Sequence, residues 1–310
     1  MDAIGYRPLT TTVPSRRPLR QAILLLLTLS LLFIRPAGRS GVVEAFQPTI
    51  QPPGLLSDMA GYLALAENAP KPPIFAKSYL LLDPGTAEVL IGQNIEASVP
   101  IASTTKMVTA LVARELYQLD ETVTISSLAA NINGSDIQLT LGEKISVHQL
   151  LRGLMIQSGN DAAFALADHY SPGANDYKMF VTKMNEYVQK VGLKNTVFGD
   201  PAGLDDEIGR STAWDLAQIA RLVLADRVLA DIVATARTTI ASIDGATVHE
   251  LTSSNRLLLS ETPYFLPGAL GIKTGFTPTA GHCLVSAYQS TNGLLIGVVL
   301  NTDEYSITAS

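Results

Sequence analysis

Apolar side chains along this chain are spaced in two different ways, and the spacing changes twice. Ser78-Tyr79-Leu80-Leu81-Leu82-Asp83 and Glu88-Val89-Leu90-Ile91-Gly92 are short, largely apolar runs separated by Pro84-Gly85-Thr86. Runs of strand length on either side of turn formers predict a β-hairpin. From Ser103 to about Leu229 the apolar residues recur at intervals of three and four. That period predicts helices over 107–116, 147–155, 162–170, 177–191 and 212–225. Beyond them, 270–274, 283–289 and 294–300 read again as strands. Upstream, 56–68 has helical spacing, and 47–54, rich in Pro and Gln, reads as a linker. Strands therefore open and close the chain, and helices fill its middle. The simplest packing is an α/β fold on one mostly antiparallel sheet, with a helical region inserted between its second and third strands.

Composition narrows the function classes. The chain has 310 residues, 47% hydrophobic and 16% charged, which is enough apolar material for a sizeable core in one or two domains. A net charge of −6 and the lack of a long Lys/Arg run after the N-terminal region give no reason to expect a nucleic-acid partner. Arg16, Arg17 and Arg20 precede an apolar run from Ala22 to Ile34. That run is short of the roughly 20 residues that span a bilayer. With Val43-Glu44-Ala45 downstream, residues 1–45 read as a secretory signal cleaved after Ala45, or as an uncleaved anchor. Membrane contact is expected only through this segment, if it stays attached. Residues 46–55 then form the linker and 56–310 the folded domain, on the extracytoplasmic side of the membrane. Cys283 is the single cysteine and lies in the apolar run Cys283-Leu284-Val285-Ser286-Ala287, so a buried structural thiol is expected. The histidines His148, His169, His249 and His282 have no paired spacing, and no metal site is expected.

Three short motifs carry the chemistry. Ser103-Thr104-Thr105-Lys106 opens a helical stretch, Ser158-Gly159-Asn160 falls between two helices, and Lys273-Thr274-Gly275 lies on a strand. A serine hydroxyl is a weak nucleophile until a base takes its proton. Three residues make about one helical turn, so Lys106 shares a face with Ser103. To act as base the lysine must be neutral, and burial with a second cation, Lys273, nearby would depress its pKa. Ser158 is placed to pass a proton between Lys106 and a leaving amine. Asn160 is expected to fix Lys106, and Gly159 to allow a tight backbone turn. Lys273 and Thr274 offer a cation and a hydroxyl to a substrate carboxylate, and Gly275 room for substrate to lie against the strand. The backbone N–H groups of Ser103 and Phe276 are the expected oxyanion donors. This chemistry requires no metal or organic cofactor.

The ordered set of motifs is the known signature of penicillin-binding proteins and class A β-lactamases. The chain resembles the D-alanyl-D-alanine carboxypeptidase family of low-molecular-mass penicillin-binding proteins. The likeness rests on Pro100-Ile101-Ala102-Ser103-Thr104-Thr105-Lys106-Met107, Ser158-Gly159-Asn160-Asp161-Ala162-Ala163, and Gly271-Ile272-Lys273-Thr274-Gly275-Phe276-Thr277 with Ala280-Gly281-His282-Cys283. Asp200-Pro201-Ala202-Gly203-Leu204 and Ser211-Thr212-Ala213-Trp214-Asp215 also resemble family segments. The resemblance covers residues 55–300 and implies a transpeptidase/β-lactamase-like fold and an exported serine D,D-carboxypeptidase. Such an enzyme removes terminal D-alanine from peptidoglycan stem peptides ending in D-Ala-D-Ala through an acyl-enzyme, and β-lactam antibiotics inhibit it covalently. The family's Asn at the head of Asn-Pro-x-Gly-Leu is replaced here by Asp200, which reads as a tolerated structural change. The family's catalytic domain continues past its last strand into a helix, whereas this chain stops at Ser310. Either the C-terminus is truncated, or the N-terminal helix covers the sheet alone. A D,D-endopeptidase acting on cross-links and a non-catalytic wall-binding protein are the alternatives. A β-lactamase is disfavoured, because the second motif is Ser-Gly-Asn and no separate glutamate motif stands out to drive deacylation.

Overall fold

A computed structural model of the chain describes residues 74–171, 176–204, 207–291 and 293–302, all within the compact unit Pro48–Tyr305. The signal or anchor segment at 1–45, the linker at 46–55 and the helix expected over 56–68 lie outside the described residues. Strands β1 (Ser78–Asp83) and β2 (Glu88–Gln93) form the expected hairpin. The Asp83 carboxylate accepts from Gly85 N at 2.8 Å and Thr86 N at 3.2 Å, which closes the turn. A 3₁₀ turn, Ala102–Thr105, leads into helix α1 (Lys106–Leu116), followed by β3 (Thr122–Thr124), the short α2 (Ser127–Ala130) and β4 (Lys144–Ser146). Helix α3 (Val147–Arg152) widens into a π turn at Gly153–Gln157 before α4 (Asn160–His169). Next come α5 (Lys178–Lys190), α6 (Ala213–Ala225), α7 (Arg227–Val233), β5 (Arg237–Ala241) and β6 (Val248–Thr252). Strands β7 (Ala269–Thr277), β8 (Gly281–Ser290) and β9 (Gly293–Thr302) complete the described chain.

The main sheet has the order β2-β1-β9-β8-β7 with every neighbour antiparallel. The expectation of an antiparallel sheet interrupted after its second strand therefore holds. The last strand pairs with the first, Leu300 opposite Ser78, and so joins the N-terminal hairpin to the C-terminal strands. β7 is left as an edge strand.

The core lies between this sheet and the helices. On β8, Cys283, Val285 and Ala287 alternate inward, and on β9 Ile296, Val298 and Leu300 do the same. Helix α6 turns Leu216, Ile219, Ala220 and Val223 inward, and it packs against β1 and β9. Helix α1 is different. Met107, Val108, Ala110, Leu111, Val112 and Ala113 are all buried, so apolar contact surrounds it through most of its length. Each fully buried Val, Leu, Ile or Met side chain contributes about 1.5–3 kcal/mol relative to an exposed one. The helix that opens with Lys106 is thus held on several sides before any polar contact is counted.

Two small ladders, β3–β4 and β5–β6, were not apparent in the apolar spacing. Each strand of the first has one inward residue, Val123 opposite Ile145, and three residues are too few to show alternation. The second is mostly polar and buries Ile240, His249 and Leu251 alone. Cys283 is buried as expected, and burial pushes its thiol up to about 11, away from thiolate chemistry.

Candidate active site

Ser103 sits on the 3₁₀ turn, and Lys106 is the first residue of α1. The helical-turn spacing brings them together: Lys106 Nζ lies 2.8 Å from Ser103 Oγ. The same nitrogen donates to Asn160 Oδ1 at 2.8 Å and to the Ala202 carbonyl at 2.9 Å. Lys106 is fully buried at 0% exposure. Removal from water lowers its pKa to about 7, against the opposing charges of Asp200 and Asp161, which raise it. Neutral and charged forms are therefore both populated near neutral pH. The neutral amine has a lone pair to offer the Ser103 proton.

Asn160 fixes Lys106, as the motif predicts, and is itself held from two sides. Its Nδ2 donates to Asn133 O at 2.8 Å and its backbone N to Ser135 O at 2.7 Å. The neighbouring Asp161 carboxylate accepts from Ile137 N at 2.9 Å and Leu139 N at 3.0 Å. The second motif thus pins the segment before β4 as well as Lys106.

Two details of this motif differ from expectation. The left-handed residue at the end of the π turn is Ser158, with φ 72°, whereas Gly159 has an ordinary φ of −58°. Holding a non-glycine residue there costs on the order of 1–3 kcal/mol, and such strain concentrates at functional sites. Gly159 is needed for space: a Cβ would stand 2.7 Å from Asp161 Oδ1. Ser158 is buried beside the site but makes no hydrogen bond to Lys106 among the described contacts. The proton path through it is not a preformed contact.

On the facing wall, Lys273 is 1% exposed and donates from Nζ to the Thr274 carbonyl at 2.9 Å. Burial, with the charge of Lys106 as a smaller cause, holds its pKa well below the ordinary lysine value. Its cationic form is therefore costly until an anion arrives. A substrate carboxylate would raise its pKa and draw in a proton, so binding and protonation are coupled there. Gly275 proves to be needed for a reason other than substrate access. A Cβ at this position would lie 2.9 Å from Ser103 N and 3.0 Å from Ala102 Cβ, so its absence lets β7 close on the turn that carries Ser103. Phe276 projects to solvent at 57% exposure and stacks on His282, with ring centroids 4.4 Å apart.

Sequence reasoning missed two parts of the site. The Ala202 carbonyl is a backbone atom, which no side-chain motif announces. Ser254 Oγ lies 2.7 Å from Thr274 Oγ1 and so restrains the hydroxyl expected to meet substrate. Its only signal was the polar cluster Ser253-Ser254-Asn255 after an unread strand.

A serine, a buried lysine hydrogen-bonded to it and a second buried lysine on an adjoining edge strand form an arrangement that suits serine-type acyl transfer with a lysine as base. The profile of the family described as D-alanyl-D-alanine carboxypeptidase matches residues 65–304, and the chain belongs to that family. It is 34% identical over 229 residues to the D-alanyl-D-alanine carboxypeptidase DacF of Bacillus subtilis, covering 72% of this chain and 57% of that protein. With the D-alanyl-D-alanine carboxypeptidase of Streptomyces sp. strain K15 it shares 35% identity over 244 residues, 74% of this chain and 82% of that one. The crystal structure of the Streptomyces K15 DD-transpeptidase superposes with a TM-score of 0.69 at 34% identity, covering 76% of this chain and 93% of the other.

Proposed function

We propose that the chain is a serine D,D-carboxypeptidase that removes the terminal D-alanine of peptidoglycan stem peptides and is acylated by β-lactams. The observation that carries this reading is the 2.8 Å contact between Ser103 Oγ and a buried Lys106 whose pKa falls to about 7. Neutral Lys106 takes the Ser103 proton as Oγ attacks the carbonyl of the penultimate D-alanine. The negative charge that develops on the carbonyl oxygen meets the backbone N–H groups of Ser103 and Phe276. The proton passes by way of Ser158 to the departing D-alanine nitrogen, the C–N bond breaks, and an ester remains on Ser103. Water, its proton taken by the same lysine, then attacks the ester and frees the shortened peptide. Asn160 keeps Lys106 in place throughout. Lys273 and Thr274 receive the terminal carboxylate, and Gly275 keeps their strand close to Ser103.

Recognition of a free carboxylate separates this reading from a cross-link endopeptidase. Peptides ending in D-Ala-D-Ala are expected to be cleaved at least tenfold faster than their C-terminal amides, since a charge-assisted hydrogen bond is worth roughly 1.5–3 kcal/mol. Lys273→Ala should erase most of that difference. Equal rates on acid and amide would sink the carboxypeptidase assignment and favour the endopeptidase. Transfer of the acyl group to an amine instead of water is a second reading, favoured by the likeness to the Streptomyces K15 DD-transpeptidase.

Such a substrate lies outside the cytoplasm, which accords with the basic and apolar pattern of 16–45. We infer export, with a mature chain beginning near Phe46. N-terminal sequencing of the native protein checks this, and an intact Met1 on protein recovered from the cytoplasm would refute it.

A further inference from the structure

We propose that Asp200 is the positioning residue of the Ser103–Lys106 pair. Its carboxylate holds the Ala202 carbonyl against Lys106 Nζ and keeps a buried negative charge beside that amine, so that one side chain sets the acid limit of acylation. The proposal rests on the reading of Lys106 as the base. Asp200 is 5% exposed. Its Oδ1 accepts from Ala202 N at 2.6 Å and Gly203 N at 2.7 Å, and Leu204 N reaches Oδ2 at 3.1 Å. Convergent N–H donors of this kind suit an anion and fix the turn over residues 200–204.

That turn is locked onto the nucleophile's helix at three points. The Ala202 carbonyl accepts from Lys106 Nζ, and Thr109 Oγ1 donates to the Pro201 carbonyl at 2.6 Å. Gly203, at φ +74°, lies so close to the 3₁₀ turn that a Cβ would come 1.9 Å from the Ala102 carbonyl oxygen. Aspartate and asparagine both offer the Oδ1 that Ala202 N and Gly203 N reach, and only aspartate offers Oδ2 to Leu204 N. They differ in charge, and Lys106 responds to the Asp200 charge more than to that of any other group acting on it.

Three titratable groups surround Lys106 in this arrangement: Asp200 from the turn and Asp161 from α4, whose charges act on it, and Lys273 from β7, which responds to the charge of Lys106. The two carboxylates favour a protonated Lys106, and a charged Lys273 opposes it. Asp161 also secures Ile137 and Leu139, so its removal would disturb a second wall. Asp200 is the cleaner group to neutralise. Asp200→Asn keeps the shape and Oδ1 while removing the charge, so Lys106 should lose its proton at lower pH. A residue that merely held the turn would change the rate at every pH without moving the acid limb.

The test is the pH profile of acylation by a fluorescent penicillin, for wild type and Asp200→Asn, with thermal unfolding of both. The expected result is a folded variant whose acid midpoint lies lower by about half a pH unit or more. An unmoved or raised midpoint in folded variant protein overturns the proposal. Should Asp200→Asn not yield folded protein, Asp200→Ser retains an oxygen acceptor without charge and is read by the same criterion. A wild type that is never labelled would fail at the earlier step, the serine peptidase reading itself, and the role of Asp200 would fall with it.

Discussion

Ser103→Ala is expected to abolish labelling by a fluorescent penicillin while leaving a folded protein. The hydroxyl is the only group the substitution removes, and the methyl that remains fits where Cβ already stands. Lys106 keeps two acceptors, Asn160 Oδ1 and the Ala202 carbonyl. Two acceptors satisfy both N–H donors of a neutral amine. The stability change should therefore stay within about 1–3 kcal/mol, the range for one lost buried partner. Labelling is another matter, because a β-lactam is held covalently only through the attacking oxygen. The other serine hydroxyl in the motifs, on Ser158, has no hydrogen bond with Lys106 among the described contacts. Intact-mass measurement of the treated variant decides the matter. Acylation that persists at Ser158 or another serine would remove Ser103 from its role.

Lys106→Arg and Lys106→Met should each lower the acylation rate by at least the 10²–10⁴-fold typical of a lost general base. Arginine keeps the charge but does not give up its proton near neutral pH. It is also larger than the fully buried lysine it replaces, so poor folding could confound it. Methionine covers that case, since it is close in length and apolar and suits a site at 0% exposure. In wild type the rate should fall on the acid side of about pH 7, because the folded-state pKa of Lys106 is lowered to about 7 and its protonated form has no lone pair. A rate level down to pH 5, or near-wild-type acylation of folded Lys106→Met, would place the base elsewhere.

The elements that could be read from residues alone are those with long, strong periods. The β1–β2 hairpin, the helices α1, α5 and α6 and the strands β7–β9 all follow from apolar spacing, to within a few residues at their ends. The Ser103–Lys106 contact was legible because one helical turn brings two side chains onto one face. The Lys106–Asn160 contact spans 54 residues, and it was reached through the motif resemblance and not through spacing. What stayed hidden has physical causes. A π turn following α3 leaves no mark on a pattern that expects one helical period, so the tight turn was credited to Gly159 when Ser158 is the residue that adopts the left-handed conformation. The need for Gly275 comes from the approach of Ser103, more than 150 residues earlier in the chain. The Ala202 carbonyl and the charge that Asp200 brings to Lys106 depend on where a loop lands, which no local pattern encodes.

The most direct test of the central claim is the mass of the products formed from a stem pentapeptide ending in D-Ala-D-Ala. Wild-type protein should yield the tetrapeptide and free D-alanine in equal amounts, and Ser103→Ala protein should return the pentapeptide unchanged. An intact pentapeptide after long incubation with folded wild type, or equal cleavage by Ser103→Ala, would contradict a Ser103-dependent D,D-carboxypeptidase.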